Sequence, residues 1–521
     1  MTNPSTLYRG GVLHCPADPS ATALLVSGGR IAWLGTDGDA PPADRVVDLD
    51  GALVTPAFVD AHVHATDTGL ALSGLDLSGV RSAGQLLDAV AGFAAGLPAD
   101  AVVLGHGWDE SAWSDATLPD AVALDRAAGG RRVYLSQASI HSALVSSALL
   151  AACPQVVEAA GYDVSGWLRR DAHHVVRAAA QGSVSRAQRV AAQRVALAHA
   201  ASLGIAAVHE CGGPEISDEE DFTGLLGISG AGLPEVYGYW GELGGAARAR
   251  ELGAVGAGGD LFADGALGSR TAHVSRAYGD GDGCGHGYLT AEQVRDHLVD
   301  CAAHGMQGGF HAIGDAAIGT VLEGFAAAAA SVGVERLRAA RHRIEHAEIM
   351  NKRLIAGFVE YGIVASMQPA FDRLWGGAGR MYEARLGLDR ALESNPMGAM
   401  HSVGVALAFG SDSPVTPLDP WGSVRAAAAH HNPTQRMGVR SAFAAHTRGG
   451  WRAVHLDVEG VLALGAPATF AVWSTPAGVE RGLPVLLAED PELRGPDDPT
   501  PLPVCRRLVL RGEVIYEEGS S

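Results

Sequence analysis

"RAQRVAAQRVALAHAASLGIAAVHE", residues 186 to 210, is the stretch on which the fold turns. Its first part reads as a helix closed by Gly204, and the apolar run after the glycine reads as a short strand. The same order returns twice. "AEQVRDHLVDCAAHG" (291–305) ends at Gly305 and leads into "MQGGFHAIG", and "NKRLIAGFVEYG" (351–362) ends at Gly362 and leads into "IVASMQP". Helix, glycine stop and strand in repetition is the rhythm of a parallel α/β protein. Working outward, eight candidate strands emerge, at 58–64, 205–210, 235–240, 259–264, 308–312, 342–346, 363–368 and 405–411. Eight such units predict a (β/α)8 TIM barrel. A doubly wound open sheet is the alternative, disfavoured because no GxGxxG follows an early strand.

The ends of the chain read differently. "TALLVSGGRIAWLG" (22–35) is two β-like runs around Gly28-Gly29, a hairpin signal, and "VCRRLVLRGEVIYEE" (504–518) repeats it around Arg511-Gly512. Residues 1–55 and 456–521 are therefore expected to form one small β-sandwich domain around a barrel at 56–455. The gap of about 120 residues at 70–190 is too long for a loop and predicts an inserted subdomain within the barrel.

Composition narrows the function. Lys+Arg 38 against Asp+Glu 58 gives a net charge of −20, which excludes a dominant basic surface for nucleic acid or anionic membrane. No secretory signal and no apolar run of membrane-spanning length is apparent. The six cysteines are scattered without CxxC spacing, as expected for reduced thiols in the cytoplasm.

The chemistry gathers at strand ends, where barrel active sites form. In "VDAHVHA" (59–65), His62 and His64 lie two apart on a strand and point to the same side. His311 ends the fifth candidate strand, His346 the sixth, and Asp412 the eighth. One rim histidine means little, but four with a carboxylate make a ligand set for a divalent metal. Zinc is the expected ion, although iron, manganese and cobalt accept the same ligands.

The set resembles the amidohydrolase superfamily pattern. The chain is similar to amidohydrolase family 3, whose members include N-substituted formamide deformylase-like enzymes. "DAHVHATDTGLALSGLDLSGV", "GHGWDES", "HSALVSSALL", "LFADGALGSRTA", "HAIGDAAI", "RIEHAEI", "SMQPAF" and "GSDSPVTPLDPW" carry the resemblance, in order, over nearly the whole chain. It implies a metal-dependent hydrolase of carbon–nitrogen bonds other than peptide bonds, acting on a small amide-like substrate, N-acyl or N-formyl. It also implies that Asp412 handles the proton, that His346 binds metal or substrate, and that His141 of the insertion lies near the substrate. Trp108, Asp109 and Arg270 are further family positions, with structural roles as the alternative. Arg448 and Trp451 fit a helix that closes the barrel, and Glu345 is expected to face away from the pocket. Many members carry, in a K-x-F-x-D-G segment on the fourth strand, a lysine that bridges two metals when carbamylated. Here that segment is "GDLFADG" (259–265), with Asp260 at the lysine position. Asp is a much shorter arm, so Asp260 is expected to stop short, leaving one tightly bound ion with a second weak or absent. A mononuclear deaminase of an aminated heterocycle and a non-catalytic ligand-binding barrel are the alternative functions, and the oligomeric state, a homodimer included, is open.

Overall fold

A computed structural model of the chain describes residues 4–113, 117–138, 142–490 and 493–519. The repeating unit folds into eight parallel strands in sequential order: β1 (Phe58–Val63), β2 (Ile205–Gly212), β3 (Glu235–Trp240), β4 (Gly256–Ala257), β5 (Gln307–Ala312), β6 (Arg343–His346), β7 (Val364–Met367) and β8 (Ala406–Phe409). The β8 end of the sheet returns to β1. The Asp412 amide donates to the His62 carbonyl (2.8 Å), the His64 amide to the Ser413 carbonyl (2.9 Å), and the Ser411 amide to Asp60 Oδ1 (2.9 Å). This is a TIM barrel. Every residue of β1, β2 and β5 is buried, as parallel strands covered on both faces require.

The glycine stops do the work expected of them. Gly204, Gly305 and Gly362 sit at φ 75°, 66° and 64°, the left-handed region that ends a helix. The helix Ala291–His304 opens with a capping box, Thr290 and Gln293 satisfying each other's backbone amides. The helix Asp315–Val332 is long and apolar enough to cross a membrane by length and composition. In the barrel its apolar side, including Ile318, Val321 and Phe325, is buried.

The fourth strand departs from the sequence reading. It is only Gly256–Ala257 rather than 259–264, and pairing with β5 resumes at a single bridge between Phe262 and His311. Gly258 (φ 150°) and Gly259 (φ 79°) break it. A Cβ on Gly258 would lie 2.2 Å from the Gly309 amide nitrogen. The missing side chains let this backbone press against β5 just before Asp260.

The chain divides into two units, residues 1–65 with 197–521, and residues 66–196. In the first, both termini add β-structure to the barrel. One sheet orders Arg30–Gly35, Ala23–Ser27, Ser5–Arg9 and Arg45–Asp48, and the other Val12–Leu13, Leu53–Pro56, Phe470–Ser474, Val504–Leu510 and Glu513–Glu517. Tyr8, Leu24, Ile31, Val54, Phe470 and Val509 form their shared core, and both expected hairpins are present. The second unit is a five-stranded sheet, Trp167–Arg169, Ser142–Val145, Val133–Gln137, Val103–Trp108 and Leu75–Asp76 in order, with helices including Ala83–Ala95 and Arg170–Gln181.

Candidate metal centre

Six side chains converge at the C-terminal ends of the barrel strands. His62 closes the inward face of β1 and His64 follows it, their ring centroids 5.3 Å apart. His311 on β5 and His346 at the end of β6 meet with centroids at 4.5 Å, and His346 lies 5.0 Å from His62. Asp412, just beyond β8, brings Oδ1 to 3.2 Å from His64 Nε2 and 3.5 Å from His62 Nε2. All six residues except His64 fall in the buried class.

Asp260 does not stop short, contrary to the sequence expectation. Its Oδ1 lies 3.5 Å from His62 Nε2 and 3.7 Å from His311 Nδ1, and its Oδ2 lies 3.2 Å from His64 Nε2. The backbone from which it reaches is packed tightly against β5 at Gly258. The carboxylate thus stands between the β1 pair and His311.

A second layer aims the rings. His62 Nδ1 lies 2.9 Å from Glu345 Oε2, His346 Nδ1 lies 2.8 Å from Gln368 Oε1, and His311 Nε2 faces the Gly265 carbonyl at 3.3 Å. Each contact takes one ring nitrogen as donor and turns the other, as a lone pair, toward the centre. Glu345 therefore faces inward, which overturns the expectation that it points away. The reason is local: His346 has φ 69°, so the alternation of a regular strand fails at that residue. Arg343 donates from Nε to Glu345 Oε1 and from Nη2 (2.7 Å) to Oε2, the oxygen that also meets His62, while the same Nη2 donates to the Ala61 carbonyl (2.6 Å) and Ser366 Oγ (2.9 Å). Arg343 also lies over the Tyr239 ring at 4.3 Å. Gln368 lies in "SMQPAF", within the family resemblance, but nothing in the sequence assigned it a role.

The residues fit a divalent cation. His62 Nε2, Asp260 Oδ1 and His311 Nδ1 are buried and make no hydrogen bond among the described residues, because their mutual contacts at 3.5–3.7 Å are longer than a good bond. Two overlapping ligand triads, His62–Asp260–His346 and His62–His64–Asp412, each keep their donor atoms within 4.8 Å. Burial works against a charge on His64, yet Asp260 and Asp412 raise its imidazole well above the ordinary value. Burial likewise opposes an Asp260 carboxylate, but the surrounding histidines hold it well below the usual range. Such a cluster exchanges protons for a cation. Burial, with His311 alongside, depresses His346 to about 4, so its ring is neutral at pH 7.

His141 lies outside the described residues. Trp108 is buried and donates to the Leu135 carbonyl (2.8 Å), and Asp109 caps a short turn through the Ser111 amide. Arg270 pairs with Asp280 at 2.9 Å, a loop tie. Trp451 is buried in the short helix Arg448–Ala453.

Known proteins resemble the chain along its length. It is 26% identical to YtcJ of Bacillus subtilis (strain 168) over 98% of this chain and 99% of that protein. Over 25% of each chain it is 32% identical to an N-substituted formamide deformylase of Arthrobacter pascens. Among solved structures, an uncharacterized metal-dependent hydrolase from Pyrococcus furiosus superposes with a TM-score of 0.74, at 23% identity, covering 90% of this chain and 98% of that one. At that identity the likeness speaks for the fold. The model of the Amidohydrolase family matches residues 45–516, nearly the whole chain, and the chain belongs to that family.

Proposed function

We propose that the chain hydrolyses a carbon–nitrogen bond other than a peptide bond, in a small N-acyl or N-formyl amide, with divalent cations, zinc foremost, held by His62, His64, Asp260, His311, His346 and Asp412. The observation that carries this reading is the Asp260 carboxylate between the β1 histidines and His311, with unbonded buried donor atoms around it. When bound, such a cation lowers the pKa of water to about 7 and polarises a carbonyl. Asp412 accepts the proton of the attacking water and passes it to the leaving nitrogen, as general base and then general acid. His346, neutral and with Nδ1 committed to Gln368, turns Nε2 to the cation or the substrate. Glu345 keeps His62 in the matching tautomer. Asp260, standing where relatives carry the lysine, would supply a carboxylate to two cations held by the β1 histidines and His311. The cytoplasm suits the six free thiols.

Elemental analysis of wild type and Asp260→Ala, with turnover on a panel of N-formyl and N-acyl amides against aminated heterocycles, tests this. Two ions per wild-type chain, at least one lost in Asp260→Ala, and turnover confined to amides are expected. Full metal retention in Asp260→Ala would remove Asp260 from the centre, and turnover of the heterocycles alone would reassign the reaction to deamination.

A further inference from the structure

A second cavity, of about 470 Å³, opens at the other end of the barrel, where β7 and β8 begin. Its volume falls within the range of small-molecule sites. Ala406 and Ala444 contribute exposed apolar surface, and Arg338, Arg341, Arg448, Arg452 and His401 supply its polar lining. A gathering of four guanidiniums stands out on a chain whose net charge is −20.

Their charges are not matched locally. Arg341 binds Asp457 through Nη1 (3.0 Å) and Nη2 (2.7 Å), and Arg452 shares that same carboxylate at 3.5 Å. Arg338 lies 3.6 Å from Glu335. The Arg448 guanidinium and the His401 ring have no hydrogen bond or ion pair among the described residues. Two carboxylates thus serve three of the four arginines, and Arg448 has none. Glycines let the walls come close: a Cβ on Gly449 would lie 2.3 Å from the Leu407 carbonyl oxygen, and one on Gly362 would lie 3.2 Å from Arg338 Cγ. The backbone beside Arg448 is thereby seated on β8, with the guanidinium at the cavity.

We propose that this cavity binds a small organic dianion. Its doubly charged oxyanion head, a phosphate ester or paired carboxylates, meets the arginines, which match such oxygens in fork geometry. Its apolar body lies on Ala406 and Ala444. The site is separate from the metal centre. The cavity opens where β7 and β8 begin and the metal centre lies beyond where they end, so a ligand here does not touch the reacting atoms.

Titration calorimetry on the full-length metal-loaded protein tests the assignment, with phenyl phosphate, phthalate and inorganic phosphate as probes. One saturable site is expected, with phenyl phosphate or phthalate binding about tenfold tighter than inorganic phosphate because the ring is buried. Which of the two binds tighter distinguishes the phosphate head from the carboxylate pair. Arg448→Glu, at an exposed position, is expected to weaken binding at least tenfold while leaving metal content and melting temperature unchanged, and Arg338→Glu serves as a second variant. Absence of saturable binding, or binding undiminished in both variants, would overturn the proposal. So would a dimer, seen by sedimentation, that Arg448→Glu disperses, since the cavity would then belong to a second copy.

Discussion

Glu345→Gln is the substitution that most directly separates support of the metal centre from support of the fold. The carboxylate is fully buried and accepts from Arg343 Nε and Nη2 and from His62 Nδ1. Glutamine has the same shape but one acceptor oxygen, so at least one of these buried donors must face the amide NH2. Breaking a buried charge pair from one side costs about 3–5 kcal/mol, and the isosteric amide, which keeps one bond, places the loss near the lower figure, about 3 kcal/mol. His62 also loses the anion that fixes its tautomer, worth about 10–100-fold in metal affinity. Chelator competition with zinc and a denaturant titration of the metal-free protein measure the two losses separately. The pair Arg343→Met with Glu345→Leu is expected to recover much of the stability, because apolar replacement of both partners of a buried pair is often neutral or stabilising. It is not expected to recover metal affinity, since His62 Nδ1 still lacks an acceptor. Metal affinity in Glu345→Gln within about twofold of wild type would refute the reasoning.

Asp412→Asn is expected to retain at least one ion per chain while turnover falls by about 10²–10⁴, because an amide ligates weakly but carries no proton; metal analysis beside steady-state kinetics checks it. Gly258→Ala must place a methyl 2.2 Å from the Gly309 amide nitrogen at a φ of 150°, so it should withdraw Asp260 from the histidines and cost roughly 2 kcal/mol or more, read as metal loss with a lowered melting temperature. His342 is buried, accepts from the Gly308 amide at 2.7 Å, and is depressed to about 3 by burial with His297 nearby. Its folded value lies below the unfolded one, so its contribution is fully present above pH 6.5 and is lost as pH falls toward 3, at up to about 1.4 kcal/mol per unit. Denaturant titrations at pH 4–7 should show a shallower dependence in His342→Gln, and an unchanged slope would remove His342 from that account.

The barrel was legible because its punctuation is chemical. Gly204, Gly305 and Gly362 stop helices at positive φ, and β1, β2 and β5 are mostly apolar runs that are buried throughout. The histidines and Asp412 could be gathered because each ends a strand. What escaped was set by backbone, not composition. β4 is two residues long and glycine-broken, too short for any period to register. Glu345 was misdirected because strand alternation was carried through His346, whose φ of 69° ends it. The reach of Asp260 was judged from side-chain length alone, whereas Gly258 and Gly309 set where its backbone stands. Gln368 matters only because β7 ends beside β6, a long-range fact that no local pattern carries.

The glycine-packed approach of β4 to β5 also bears on how the centre is assembled. A lysine at this place serves only after it has captured carbon dioxide, so its metal site depends on a dissolved gas and on a labile carbamate. Asp260 arrives as a finished carboxylate, already among the histidines. Loading of this protein should therefore proceed equally well in degassed, bicarbonate-free buffer. If Asp260 holds the cation as proposed, the chain needs no reagent from its surroundings to complete that ligand.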